Sequence, residues 1–151
     1  ILDSNQSPQQ QVAWLDETLG SSDATWKFVS FHHPIYSSSP KRDNPIHRMK
    51  WMPVFDKHHV DMVLQGHDHA YLRTFPMKND ERVDTPAKGT FYVVSVSGTK
   101  MYDLGEFDYA DKAFADTSTY QAIDIEIDGN RLVYKAHDVN GNCVDEVIIE
   151  K

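Results

Sequence analysis

Cysteine is nearly absent from the sequence, in which Cys143 stands alone among 151 residues. A single cysteine cannot form a disulfide within the chain, and it cannot supply the several thiolates of a cysteine-rich zinc site. It says little about the cellular compartment, because a secreted protein without disulfides and a cytosolic protein share this trait. Disulfide scaffolds and cysteine-based zinc modules are therefore excluded.

Long apolar runs and positive charge are also scarce. No stretch approaches the roughly 20 apolar residues that span a membrane, and the first residues show no signal-peptide pattern. Asp and Glu number 23 against 15 Lys and Arg, which gives a net charge of −8 and a surface that repels nucleic acid. We therefore expect no membrane partner and no nucleic-acid partner. A phosphate ligand would need local positive charge, such as a bound metal.

Histidine, by contrast, is abundant. The chain has eight histidines, and seven of them lie within one third of it, at positions 32, 33, 47, 58, 59, 67 and 69. Imidazole binds metal ions and moves protons near neutral pH. The cluster therefore marks residues 32–69 as the place to look for a site, whereas His137 is expected to be structural.

The apolar periodicity predicts an α/β fold that ends in an antiparallel β meander. Helices are expected over residues 7–20, capped by Ser7, and 49–59, with Pro53 near the first turn. Residues 1–3 read as the tail of a strand, and buried strands are expected over 26–31, 60–65 and 90–96. Residues 36–47 read as a loop and the acidic stretch 103–116 as a solvated loop or short helix. The meander strands are 120–127, 131–139 and 143–150, joined by turns at 128–130 and 140–142.

Two of the predicted strands run directly into histidines. Phe31-His32-His33-Pro34 follows the first strand, and Gly66-His67-Asp68-His69 follows the second. Ligands of α/β sheets collect beyond the carboxyl ends of the strands, so adjacent strands would bring both segments to one rim. Gly66 is expected to allow the sharp exit from its strand. The single residue between His67 and His69 lets their rings reach two neighbouring ion positions.

These motifs resemble the last two metal-binding motifs of the calcineurin-like metallophosphoesterases. The continuation Ala70-Tyr71-Leu72-Arg73 resembles the purple acid phosphatase branch, as do Arg48, Pro53 and Phe55, and residues 97–102 resemble a segment of bacterial members. The resemblance implies that His32 and His67 bind one metal and His69 the other, with iron, zinc or manganese as the two ions. His33 is the rival of His32, and is expected to pack beside the site.

The resemblance also suggests residues for substrate contact. His47 lies in the loop where this branch often places substrate-contacting histidines, and Arg48 could support the phosphate or pack structurally. Asp68 could orient a histidine ligand. His58 and His59 are expected at a helix end, and no regular oxygen-ligand spacing in the acidic stretch indicates a calcium loop.

The family's earlier motifs, which supply carboxylate and asparagine ligands, do not precede residue 30. We therefore expect residues 1–151 to be the C-terminal portion of a metallophosphoesterase domain whose missing N-terminal half is a partner of this chain. The chain alone should bind metal weakly, should not turn over substrate, and could self-associate through an uncovered sheet. Family resemblance favours a periplasmic or secreted location.

The resemblance implies half of a β-sandwich flanked by helices, in which the terminal strands extend the main sheet. The expected function of the intact protein is hydrolysis of phosphate esters at a dinuclear metal centre. Monoesters, diesters, nucleotides and sugar phosphates all remain open as substrates. The alternative is a non-catalytic binding or regulatory module on the same scaffold.

Overall fold

Alternation of inward and outward side chains along short strands builds the protein around two sheets. The computed structural model describes residues 1–96, 98–124 and 129–151. The helices are α1 (Pro8–Gly20) and α2 (Pro45–Lys57), with a 3-10 turn at Pro86–Lys88. The strands are β1 (Phe28–Ser30), β2 (Met62–Gln65), β3 (Tyr71–Thr74), β4 (Met77–Lys78), β5 (Glu81–Arg82), β6 (Phe91–Val94), β7 (Ala110–Phe114), β8 (Thr119–Asp124), β9 (Arg131–Asp138) and β10 (Cys143–Glu150).

The larger sheet is mixed and has five strands in the order β1-β2-β6-β3-β7. The first three are parallel, whereas β3 and β7 are antiparallel to their neighbours. The second sheet is the antiparallel meander β10-β9-β8, and β4 and β5 form a small hairpin. The predicted α/β class with a terminal meander is confirmed. The expectation that the terminal strands extend the main sheet is wrong, because they form a sheet of their own.

The mixed sheet is the middle layer of three. One face packs on the helices, where Val63 and Tyr92 meet Trp51 of α2. The other face packs on the meander, where Met62 and Phe91, the immediate neighbours of Val63 and Tyr92, belong to the second cluster of buried side chains. Successive residues of a strand point to opposite faces, so the apolar runs of β2 and β6 fill both cores.

A buried polar network fastens the meander to the mixed sheet. Asp145 of β10 accepts hydrogen bonds from Arg73 of β3, at 2.7 Å from Nε and 2.9 Å from Nη2, and from the Tyr71 hydroxyl at 2.6 Å. Asp111 of β7 accepts another bond from Arg73 at 2.7 Å. Tyr71 and Arg73, which the sequence singled out by family resemblance, therefore serve the joint between the two sheets.

The first helix has the predicted position but not the predicted cap. The Ser7 side chain makes no capping hydrogen bond. Pro8 at the first helical position has no N–H, so the helix start has one unpaired backbone donor fewer. Residues 1–3 form no assigned strand, although the Leu2 amide donates to the Ser30 carbonyl at 2.9 Å along the outer edge of β1.

The second helix begins at Pro45, four residues before the predicted start, so Pro53 lies in its interior. An interior proline removes a backbone hydrogen bond and costs about 3 kcal/mol. Burial of a large apolar side chain contributes about 1.5–3 kcal/mol, and both Trp51 and Phe55 are fully buried. Packing therefore outweighs the local preference that placed proline near the helix start.

The acidic stretch contains a strand instead of a loop or helix. β7 pairs with β3 as the edge of the mixed sheet, and its Phe114 ring stacks on Tyr71 with centroids 4.7 Å apart. The middle residues of β7 are exposed, as expected for a solvated stretch. This strand was not predicted because its side chains do not alternate between buried and exposed, so the sequence carries no strand periodicity there.

Several predicted features reach beyond the described residues. The end of the strand predicted over 120–127, Asp128 of the first meander turn and Ser97 of the family-like segment all lie there. The second turn is as predicted, because Gly141 has a φ of +86° and its amide donates to the Asp138 carbonyl at 3.0 Å. Neither helix in the described ranges has the length and apolar character that a membrane crossing needs.

Candidate metal centre

The three parallel strands end at the same edge of the mixed sheet. In the β1–β2 pair Ser30 lies opposite Leu64, so the chain segments after both strands leave side by side. The Gly66 amide donates to the His32 carbonyl at 3.1 Å and holds the two segments together where they start. The fold thus brings both histidine motifs to one rim.

His32 and His67 face each other across this rim. Nε2 of His32 lies 3.1 Å from Nδ1 of His67. Two imidazole nitrogens that bind one zinc-like ion at about 2.0–2.1 Å lie about 2.9–3.4 Å apart, for angles between the octahedral and tetrahedral values. The observed separation falls within this interval, so the pair fits one shared ion.

The turn that presents His67 is strained. His67 has a φ of +70°, and the Asp68 amide donates to the Gly66 carbonyl at 2.8 Å, which closes a γ-turn around His67. This turn is rare, and a non-glycine residue held in such a conformation costs about 1–3 kcal/mol. The prediction that Gly66 supplies the sharp bend is therefore wrong, since the left-handed φ belongs to the histidine itself.

His33 is the third member of the cluster. One ring nitrogen from each of His32, His33 and His67 lies within 4.8 Å of the others, which makes them a possible ligand group. Ser4 holds His33 from behind, since its Oγ is 2.9 Å from the ring Nδ1 and accepts the His33 amide at 3.0 Å. His33 packs at the site, as expected for the rival of His32.

His69 lies apart from that group. Its Nδ1 is 2.9 Å from the Lys100 carbonyl oxygen, and its ring stacks on Tyr102 with centroids 4.6 Å apart. A carbonyl oxygen only accepts, so Nδ1 carries the proton and Nε2 keeps its lone pair. A metal-binding histidine usually donates its other N–H in this way. The arrangement suits a ligand of a second ion.

Electrostatics keeps the facing imidazoles neutral. Burial lowers the pKa of His32, and the neighbouring His33 lowers it further. Burial, reinforced by the charge of Arg42, lowers the pKa of His67 to about 4. A neutral imidazole has the free lone pair that metal binding requires. The residues present therefore fit a metal ion at the His32–His67 pair.

Asp68 lies between two candidate ligands but holds a loop. It is buried, and its carboxylate accepts bonds from the Ser37 hydroxyl at 2.6 Å, the Ser38 amide at 2.8 Å and Nε of Arg42 at 2.7 Å. None of its hydrogen bonds within the described ranges goes to a histidine. The expectation that Asp68 orients a histidine ligand is wrong, because Ser37, Ser38 and Arg42 supply the donors to its carboxylate.

The structure separates the two predicted substrate contacts. Nε2 of His47 lies 3.1 Å from the Ser4 carbonyl, and its ring centroid is 6.3 Å from that of His33, so His47 borders the cluster. Arg48 donates to the Ile35 carbonyl at 2.8 Å and to Asp43 at 2.7 Å. These bonds are compatible with the structural alternative for Arg48, and its contact with the phosphate stays a prediction.

Arg42 is the residue that sequence reasoning missed. Its Nη2 lies 3.4 Å from the His67 carbonyl oxygen, and its charge lowers the pKa of both His32 and His67. The signal was a Lys-Arg pair within a loop of serines and prolines, between the two histidine motifs. Only the fold brings this loop to the rim.

Comparison with known proteins places this geometry in a family. The sequence model of the calcineurin-like phosphoesterases matches residues 2–71, which include His32, His67 and His69. The match covers just under half of the chain, and over those residues the chain is similar to the calcineurin-like phosphoesterases. This family depends on metal ions, typically two, in keeping with a histidine-lined rim.

Curated relatives match about half of the chain. An uncharacterized protein of Mycobacterium tuberculosis is 30% identical over 82 residues, which cover 50% of this chain and 16% of the relative. An acid phosphatase of Aspergillus ficuum is 32% identical over 89 residues, which cover 55% of this chain and 14% of that enzyme. The chain thus spans a small part of the length of these relatives.

Solved structures share the fold at low sequence identity. Purple acid phosphatase PPD1 from yellow lupin (Lupinus luteus) seeds superposes with a TM-score of 0.80 at 18% identity, covering 93% of this chain and 28% of that one. GAP50, described as the anchor in the inner membrane complex of Plasmodium, gives 0.63 at 18% identity, covering 99% and 47%. The family match, the acid phosphatase and the lupin fold together support the purple acid phosphatase-like branch.

Proposed function

We propose that this chain supplies the histidine side of a dinuclear metal site that hydrolyses phosphate esters. His32 and His67 would hold one ion and His69 the other. The observation that carries the proposal is the 3.1 Å separation between Nε2 of His32 and Nδ1 of His67, which suits two ligands of one ion. Their lowered pKa values leave both nitrogens free to bind at mildly acidic pH.

The chain's own residues would position the ligands. The Lys100 carbonyl would hold the ring of His69 through Nδ1, which leaves Nε2 as the nitrogen for the metal. The γ-turn at His67 and the bond from Gly66 to His32 fix the backbone beneath the facing pair. When bound, metal ions supply Lewis-acid activation of a phosphoryl oxygen and of water. His47, beside the cluster, remains a proposed contact to the phosphate.

We propose that carboxylate ligands come from the N-terminal half of a longer domain. The ligand group that the described residues form contains histidines and no carboxylate, and two neighbouring metal ions usually need anionic bridging oxygens. The chain alone should therefore bind metal weakly and hydrolyse nothing. The similarity to an acid phosphatase and to a purple acid phosphatase favours a secreted or periplasmic protein.

Metal titration of the purified chain tests the ligand assignment. We expect weak zinc or manganese binding by calorimetry, and a loss of about tenfold or more in affinity for His32→Gln and for His67→Gln. His137→Gln, on β9, is the matched control and should leave the affinity unchanged. Equal metal affinity in the wild type and the three variants would show that His32 and His67 do not bind the metal.

Hydrolysis of p-nitrophenyl phosphate tests the need for the other half. We expect no turnover by the 151-residue chain with either metal, and turnover once the segment that carries the carboxylate motifs is expressed with it. Robust turnover by the chain alone would show that the upstream ligands are dispensable. Failure of the joined protein to hydrolyse any phosphate ester, with its metals bound, would favour the alternative.

That alternative is a binding or regulatory module on the same scaffold. It draws support from the shared fold of GAP50, which is described as an anchor. The histidine geometry counts against it, because a scaffold without metal has no need for three imidazoles at two strand ends. If the joined protein binds metal tightly and hydrolyses no phosphate ester, the result would favour the binding module over the enzyme.

A further inference from the structure

An open pocket of about 480 Å³ adjoins the histidine rim. Its lining residues are Ser39, Pro40, Lys41, Arg42, Tyr102 and Asp103. Two of them connect it to the rim, since Arg42 reaches the His67 carbonyl and Tyr102 stacks on His69. A substrate group held in this pocket would therefore lie beside a phosphate held at the histidines.

Arg42 is held firmly on one side of its guanidinium. Nε donates to the buried Asp68 carboxylate at 2.7 Å, and the guanidinium carbon lies 4.7 Å from the centre of the Tyr102 ring. An arginine fixed in this way loses little freedom when it binds a further partner. The side chain of Arg42 nevertheless remains 29% exposed. It is ordered and accessible at the same time.

The other side of the guanidinium is free to donate. Within the described ranges, no hydrogen bond is recorded for Nη1 of Arg42 or for Nζ of Lys41. Lys41 and Arg42 are consecutive in the chain, and both line the pocket. Guanidinium and ammonium groups with unused donors recognise phosphate and carboxylate oxygens.

We propose that Arg42 and Lys41 form an anion subsite that takes a second phosphate group of a phosphoester substrate. The inference rests on the proposed function, because it assigns a further substrate group to the same site. It names substrates with two phosphates, such as diphosphates or bisphosphorylated compounds. Asp103 in the same lining opposes anion binding and would temper the affinity of the subsite.

Binding of pyrophosphate to the metal-free chain tests the subsite directly. We would follow the titration by NMR, using the backbone amide resonances of Ser39 and Tyr102 in the pocket lining, which every variant retains, after removal of metals on a chelating resin. Arg42→Gln should weaken binding by about tenfold, the value of a charge-assisted hydrogen bond. Lys41→Gln should weaken it by about two- to threefold, as for an exposed charge. Inorganic phosphate should bind more weakly than pyrophosphate.

Two further variants control for net charge and for folding. Arg82→Gln removes a cation that stacks on Phe75, away from this pocket, and should leave binding unchanged. Asp103→Asn removes the opposing charge and should tighten binding by about twofold. Neither Lys41→Gln nor Asp103→Asn alters the Asp68 pair, so these two decide the matter if Arg42→Gln fails to fold.

Pyrophosphate binding that is the same in Arg42→Gln and wild type would overturn the proposal. So would equal losses in Arg42→Gln and Arg82→Gln, or no response from both Lys41→Gln and Asp103→Asn. Phosphate that binds as tightly as pyrophosphate would reduce the pocket to a general anion site. The assay contains no metal, so it is independent of whether His32 and His67 bind one. Failure of the metal centre and failure of the subsite are therefore distinguishable.

Discussion

Two regions of the protein contain a buried aspartate paired with an arginine, and they use the pair differently. At the joint between the sheets, the Arg73 side chain is 4% exposed and is bound by both Asp145 and Asp111. At the histidine rim, Asp68 is equally buried, but its partner Arg42 is 29% exposed. The first arginine is surrounded by acceptors, whereas the second keeps donors for solvent or ligand.

The difference separates a structural ion pair from one that is available for binding. A buried charge needs partners for all its donors, and Arg73 finds them on three strands. The contacts of Arg42 fix the position of its guanidinium but leave some of its hydrogen-bond donors unused. Since the same residue types carry both roles, exposure and the count of acceptors distinguish them. Changes to each pair should therefore affect different properties of the molecule.

The largest expected effect comes from the joint. Asp145→Asn removes the bidentate partner of Arg73 and the acceptor of the Tyr71 hydroxyl. We expect a loss of about 3–5 kcal/mol in the free energy of unfolding, because a buried arginine is left undercompensated. Urea denaturation followed by circular dichroism measures it. Glu146→Gln, on the same strand and partly exposed, should change it by less than about 1 kcal/mol. Similar losses in both variants would contradict a structural role for the pair.

A smaller loss is expected at the rim. Asp68→Asn weakens bonds to the Ser37 hydroxyl, the Ser38 amide and Arg42. We expect about 2–3 kcal/mol, since solvent can partly compensate the exposed arginine. Hydrogen exchange should also accelerate in residues 37–42 and remain unchanged in the meander. If exchange accelerates instead across the whole chain, Asp68 supports the fold at large and the contrast between the two pairs fails.

The smallest expected effect is on the protonation of the His67 imidazole. The pKa of His67 is lowered to about 4, first by burial and then by Arg42. The unfolded value is about 6.5, so the unfolded chain binds more protons between these limits. The contribution of His67 to stability is therefore complete above about pH 6.5 and is lost as the pH falls towards 4.

Imidazole proton shifts of the metal-free chain, followed by NMR over this pH range, give the His67 pKa. Arg42→Gln should raise it, because a repulsive cation is removed, whereas Asp145→Asn should leave it unchanged. A wild-type midpoint near the ordinary value for histidine would show that the rim is more solvated than the structure indicates.

Much of the fold could be predicted because its signals are local. Apolar runs identified β2 and β6, and glycine turns identified the meander. The histidine motifs were visible because each follows a strand, and parallel neighbours share an edge. The error at α2 arose where long-range burial of Trp51 and Phe55 overrode the local preference of Pro53.

The rest of the site depends on contacts between distant parts of the chain. Arg42 meets Asp68 across 26 residues, and Arg73 meets Asp145 across 72. No periodicity or spacing in one sequence encodes such pairs, so Asp68 was assigned to a neighbouring histidine instead. For the same reason the bonds of Arg48 to Ile35 and Asp43 could not be predicted from the sequence.

The left-handed backbone at His67 bears on how the imidazole should be removed in any experiment. Alanine would keep the unfavourable torsion while discarding the ring, so its phenotype would mix two causes. Glycine adopts a φ of +70° without penalty. The metal-free His67→Gly variant should therefore be more stable than His67→Ala by about 1 kcal/mol. At this position, glycine is therefore a cleaner replacement than alanine for testing the loss of the imidazole.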